Sequence, residues 1–148
     1  MGSALDMGHE LHRLGFEFWE EPLPQAPQYI GYEELRKKLH LPLAAGEGLD
    51  SRATAKQMID RRAMDIIQPD VCVCGGLLEM RKIAALAEAH YVTVAPHNPM
   101  GPVATAVNVH FAAATANFEV LEYIVPGEEW RAWVDDPYMP KDGYLELR

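Results

Sequence analysis

At 148 residues, 49% of them apolar, the chain is long enough for one domain with a buried core. Its formal charge of −9 excludes a nucleic-acid partner, because phosphate binding needs lysine and arginine in excess, yet it leaves room for an acidic ligand, since one divalent cation reverses a local field. No run approaches the roughly 18 apolar residues of a membrane span, so no membrane partner is expected. Cys72 and Cys74 stand too close to build a disulfide framework. They read as reduced thiols in a cytoplasmic protein.

Leu5, Leu11 and Leu14 spaced among polar residues predict a short helix from Ala4 to about Leu14, ending at Gly15. The alternating, aromatic run Phe16–Glu20 predicts a strand. Pro22, Pro24 and Pro27 force a loop after it. A helix follows over Tyr32–Leu39, stopped by His40-Leu41-Pro42. Leu43–Ala45 is a short apolar strand closing at Gly46-Glu47-Gly48. Asp50 or Ser51 can cap the next helix, which runs to about Arg61. Met64–Gln68 reads as a strand cut by Pro69. Gly75-Gly76 lacks the G-x-G-x-x-G spacing of a phosphate loop and reads as a turn into a helix over Leu77–Ala89. Tyr91–Ala95 is a fourth strand, broken by Pro96. Pro102–Ala114 is a helix of small residues, and Phe118–Leu121 is a last strand. From Pro126 onward proline, glycine and acidic residues predict an irregular tail.

Five strands alternating with helices imply an α/β fold with a parallel sheet and crossover helices. The strands are continuously apolar, as expected when both faces are covered. Each strand ends on a polar residue: Glu20, Glu47, Asp70, His97 and Glu122, separated by 27, 23, 27 and 25 residues. That spacing is about one βα unit, so each repeat delivers one polar side chain to the same rim. A (β/α) barrel of the TIM type builds its active site in this way, although such a barrel usually takes about 250 residues.

Taken singly, these residues have bland readings. Glu20 is either a solvated loop acid or an inward ligand. Glu47 lies between two glycines, where the backbone can approach a ligand closely. Together, two carboxylates on neighbouring strand ends suit a hard cation such as Mg²⁺. A lone histidine is usually structural, but a carboxylate on the next rim position, here Asp70 beside His97, fixes an imidazole for work as a general base. Glu122 is open between a helix cap and a hydrogen-bonding role in a site. A zinc site at Cys72-Val73-Cys74 is not expected without a second pair. Trp19, Trp130 and Trp133 read as packing. His9, His12, His40, His90 and His110 form no pattern.

The segment Phe18-Trp19-Glu20-Glu21-Pro22-Leu23-Pro24 resembles the EEP motif of the enolase superfamily, in its mandelate racemase branch. Ala44-Ala45-Gly46-Glu47, Ile66-Ile67-Gln68-Pro69-Asp70, Cys74-Gly75-Gly76, Ala95-Pro96-His97-Asn98 and Leu121-Glu122-Tyr123 are similar to the motifs that follow, in order. The segment PHNPMGP, from Pro96 to Pro102, resembles the galactonate dehydratase-like sugar-acid dehydratases. The resemblance implies a partial TIM-type barrel, about strands four to eight. Residues 1–148 would be the C-terminal half of the barrel domain, without the capping domain, the first strands and the third metal ligand. It implies that Glu20 and Glu47 bind Mg²⁺, that His97 is the general base with Asp70 as its partner, and that Glu122 bonds a substrate carboxylate oxygen. The implied reaction is removal of the proton α to the carboxylate of a small sugar acid, such as galactonate, followed by loss of water. The alternatives are a racemase or epimerase of the same family, or a non-catalytic half-barrel that self-associates. Open sheet edges invite pairing with another chain, so a homo-oligomer is expected.

Overall fold

The computed structural model describes residues 2–24, 29–125 and 127–148. The elements in order are α1 (Gly2–Arg13), β1 (Trp19–Glu20), α2 (Ile30–Arg36), β2 (Leu43–Ala45), α3 (Arg52–Asp60), β3 (Ile66–Ile67), α4 (Leu77–Glu88), β4 (Thr93–Val94), α5 (Pro102–Ala113) and α6 (Glu128–Arg131). The strands form one parallel sheet in the order β1-β2-β3-β4. Neighbours in sequence are neighbours in space, each pair joined by a crossover through a helix. Register runs Glu20 to Ala44, Ala44 to Ile66 and Ile66 to Thr93. This is the partial α/β barrel that the alternation of elements implies.

Local signals explain the helix starts. Ser51 caps α3, its side chain accepting from the Thr54 backbone N–H at 3.3 Å, which satisfies one of the four amides that a first turn leaves unpaired. Asp50 supports that cap by accepting from the Ser51 and Thr54 hydroxyls. Gly76 precedes α4 with φ 89°, a conformation that favours glycine. Pro102 opens α5 at its first position, where the missing N–H costs nothing.

Period-two alternation along each strand divides its side chains between two faces. Ala45, Ile67 and Val94 face the helices. They pack with Met58 and Ile59 of α3, Met80, Ile83, Ala84 and Ala87 of α4, and Phe111 of α5 in the main core. Phe18, Ala44, Ile66 and Ala95 face the other way and form a smaller apolar cluster, the lining of the barrel. A third cluster joins α1 to α2 through Leu5, Trp19, Leu35, Leu39 and Leu43.

Several expectations need correction. The strands are shorter than the apolar runs, two or three residues each, because only the paired middle of each run lies in the ladder. The strand expected over Phe118–Leu121 is a single parallel bridge between Val94 and Phe118. The Asn117 side chain, just before that bridge, donates instead to the carbonyls of Ala84 and Val92. The tail is not wholly irregular, since α6 forms a single turn within it. Trp130 and Trp133 stack at 6.0 Å, with Trp133 largely exposed. Pro27 and Pro126 lie outside the described residues.

Candidate active site

The five strand-end residues reach one rim in two groups. At the ends of β3 and β4, a parallel bridge pairs Asp70 with His97, so backbone geometry fixes the distance between their side chains. His97 Nδ1 lies 2.9 Å from Asp70 Oδ2. Asp70 is only 1% exposed. Its other oxygen accepts from the Cys72 N–H at 2.7 Å, closing a turn that keeps the carboxylate from rotating. With its proton on Nδ1, facing Asp70, the imidazole presents Nε2 to the rim. Glu47 Oε2 stands 3.3 Å from Nε2 and Glu122 Oε2 stands 4.0 Å from it.

Glu122 is anchored from below. Its Oε2 accepts from the Asn98 N–H at 2.8 Å, and its carbonyl from Asn98 Nδ2 at 3.0 Å. Asn98 Oδ1 in turn accepts from Asn108 Nδ2 of α5 at 3.0 Å, and Thr105 completes the group. Asn98, Thr105 and Asn108 are all buried. A network of this kind rigidifies its surroundings, although one of its atoms, Asn108 Oδ1, is buried without a hydrogen-bond partner.

The second group lies at β1 and β2. Glu20 is exposed, and its Oε1 accepts from Gln68 Nε2 at 2.7 Å. Beside it, Glu21 adopts a left-handed backbone, φ 43°, a strain on the order of 1 kcal/mol or more for a residue with a side chain. Its carboxylate accepts from the Gly46 N–H at 2.9 Å and from the Tyr32 hydroxyl at 2.6 Å. It thus ties the exit of β1 to the exit of β2, next to Glu47. Burial, then the Glu21 carboxylate, push the Tyr32 hydroxyl well above its usual range, so it stays a donor. Gly46 has φ 127°, and a Cβ there would lie 3.2 Å from the Gln68 nitrogen. Only glycine leaves this approach open.

The donors at β1 and β2 are carboxylate oxygens on adjacent strand ends, the chemistry that Mg²⁺ prefers. Among the described residues no group of three His, Cys, Asp or Glu side chains is placed to hold a metal ion. In kind these two carboxylates suit a hard divalent cation.

Sequence reasoning gave no role to Glu21, Gln68, Asn98 or Asn108. The first three stand inside motifs noted for their neighbours, and only the folded contacts reveal their work. Cys72 is exposed and Cys74 buried. Burial pushes the Cys74 thiol up to about 11, and burial with the nearby Asp70 raises that of Cys72, so both thiols are neutral at ordinary pH. His12 and His40 meet each other at 6.2 Å, and His110 meets Tyr138. No described helix is long and apolar enough to cross a membrane.

Comparison with known proteins adds to this geometry. Residues 1–148 match the family described as enolase C-terminal domain-like. The chain is 39% identical to D-galactonate dehydratase from Verminephrobacter eiseniae (strain EF01-2), over 82% of this chain and 36% of that protein. An enolase from Agrobacterium radiobacter, for which a galactarate dehydratase activity is proposed, was solved with sodium and L-malate bound. It matches with a TM-score of 0.90 at 47% identity, over 98% of this chain and 40% of that one. A mandelate racemase/muconate lactonizing enzyme-like protein from Roseovarius sp. TM1035 gives 0.89 at 31% identity, over 96% and 35%. The chain therefore spans between 35% and 40% of the length of these relatives.

Proposed function

The chain belongs to the enolase superfamily, in its mandelate racemase branch, and from that premise we propose that it is the C-terminal barrel half of a Mg²⁺-dependent sugar-acid dehydratase. The observation that carries the reading is the orientation of His97. One ring nitrogen is tethered to a buried carboxylate and the other opens on a rim of carboxylates. The galactonate dehydratase relative supports an aldonic acid such as galactonate as substrate.

The proton α to a carboxylate is weakly acidic, so its removal needs a positioned base and stabilisation of the charge that develops. A Mg²⁺ ion would be held by Glu20 and Glu47 and would supply Lewis-acid stabilisation of the charge that develops on the substrate carboxylate. His97 Nε2 takes the α-proton, and the C–H electron pair moves into the carboxylate to give an enediolate. Asp70, 2.9 Å from Nδ1, stabilises the imidazolium and holds the ring in place. Glu122, fixed by Asn98, faces the same space, where a proton shared with the substrate carboxylate makes the bond between them. Return of the electron pair expels the β-hydroxyl, which leaves as water with a proton available from His97. The enol then relaxes to a 2-keto-3-deoxy acid.

The test is a panel of sugar acids assayed for 2-keto acid formation, with α-proton exchange followed in D₂O. His97→Ala is expected to lose about 10²-fold to 10⁴-fold in kcat, the usual contribution of a general base. Glu47→Gln is expected to lose activity that added Mg²⁺ restores only in part. Full activity in either variant overturns the reading. Exchange without dehydration on every acid would make the protein a racemase or epimerase instead.

A further inference from the structure

Gln68 follows β3 directly and is 4% exposed. Its neighbours along the strand, Ile66 and Ile67, are apolar, and packing alone gives no reason for an amide at this place. The amide has one clear engagement, the 2.7 Å bond from Nε2 to Glu20 Oε1. Its own Oε1 is buried without a hydrogen-bond partner. A buried acceptor left unpaired is costly, yet the opposite orientation would set an amide oxygen against a carboxylate oxygen, which is worse. The amide therefore accepts one unsatisfied atom in order to give its N–H to Glu20.

The bond passes over a whole strand, because β1 and β3 are separated by β2. Inward side chains of alternate barrel strands share a layer. Gly46, the residue after the strand between, contributes no side chain, and a Cβ there would meet the Leu49 side chain at 3.0 Å and the Gln68 backbone nitrogen at 3.2 Å.

We propose that Gln68 is a positioning residue that makes Glu20 a one-oxygen ligand and thereby biases the site toward Mg²⁺ over Ca²⁺. The proposal rests on the reading of Glu20 as a metal ligand. With Oε1 engaged by the amide, Oε2 is the oxygen left free for a cation. Mg²⁺ takes single oxygens at about 2.0–2.1 Å in a strict octahedron, whereas Ca²⁺ readily takes both oxygens of one carboxylate at about 2.3–2.6 Å. Partners that orient a ligand usually change metal affinity by about 10-fold to 100-fold when removed.

Calorimetric titration of the protein with Mg²⁺ and with Ca²⁺ tests this, comparing the unaltered chain with Gln68→Leu, Gln68→Met and Glu20→Gln. Gln68→Leu is expected to weaken Mg²⁺ binding by about tenfold or more while Ca²⁺ binding falls less or rises, so that the Mg²⁺/Ca²⁺ preference drops. Gln68→Met keeps much of the volume and removes the donor without adding charge, so it gives the same drop in preference if the leucine variant fails to fold. A merely structural role would lower both affinities together or neither, and either result overturns the proposal. If Glu20→Gln weakens Mg²⁺ binding but neither Gln68 variant alters the preference, the proposal alone fails. If Glu20→Gln leaves Mg²⁺ binding unchanged, or the unaltered chain binds neither ion, the reading of Glu20 as a ligand fails and the proposal with it.

Discussion

Asp70 and Glu47 stand on the same rim, one strand apart, and are built in opposite ways. Asp70 is buried, with one oxygen on a backbone amide and the other on His97. The Glu47 side chain is 46% exposed and meets the rim at His97 Nε2, 3.3 Å away. On the β3–β4 side the geometry is complete within this chain. On the β1–β2 side it is held by ties between strand exits, from Glu21 to Gly46 and from Gln68 to Glu20. Groups that must pass a proton need fixed separations, and the sheet supplies them. On the proposed reading, carboxylates that meet a hydrated cation need room, and exposure supplies it.

The largest expected effect that sharpens this contrast comes from Asp70→Asn set beside Glu47→Gln. Asp70→Asn turns an amide N–H₂ against one of two donors in a buried place. It is expected to lower stability by about 1–3 kcal/mol and kcat by about 10²-fold or more, as His97 loses its anchor. Glu47→Gln, in the open, is expected to stay within about 0.5 kcal/mol of the parent. Urea unfolding of both variants checks the pair, and equal losses would break the contrast.

Next comes Asn98→Ala, which leaves Asn108 Nδ2 and the Glu122 carbonyl without their partner. A loss of about 2 kcal/mol is expected on thermal or urea unfolding. Activity should fall through kcat rather than KM if Glu122 acts as charge develops. A variant as stable as the parent would show that α5 does not anchor this side of the rim.

The smallest effect concerns the turn after Asp70. Both thiols are raised above their ordinary values, so the reactive thiolate is scarce at pH 7 and grows as pH rises. Iodoacetamide is expected to label exposed Cys72 slowly at pH 7.5 and faster near pH 9, and to spare buried Cys74 in the folded chain. Peptide mapping by mass spectrometry reads the order. Early labelling of Cys74 would mean that the turn holding Asp70 opens readily.

The order of elements and the rim positions were legible in the sequence because both follow from local patterns. Apolar runs broken by proline and glycine marked the strands, and one polar residue after each run marked the rim. The extent of the strands was not legible, since an apolar run such as Met64–Gln68 is longer than the two residues that pair. Phe118–Leu121 looked like its predecessors but forms one bridge, and no local pattern separates a paired strand from an extended segment. The ties between strands were hidden for a different reason. Glu21 meets Tyr32 and Gly46, and Gln68 meets Glu20 across 48 residues. Such contacts depend on the path of the chain in space, and composition carries no trace of them. Asn98 and Asn108 are similar, ordinary polar residues until the fold buries them together.

The parallel bridge between Asp70 and His97 also bears on how this chain can change. Ile67 pairs with Val94 in the ladder, and each member of the bridge lies three residues further on. The meeting of acid and imidazole is therefore a matter of counting along two segments of equal length. A single insertion or deletion in either segment slides one partner by a strand step of about 3.3 Å and turns its side chain to the opposite face. Substitution can tune this pair, but changes of length between 67 and 70 or between 94 and 97 cannot be absorbed.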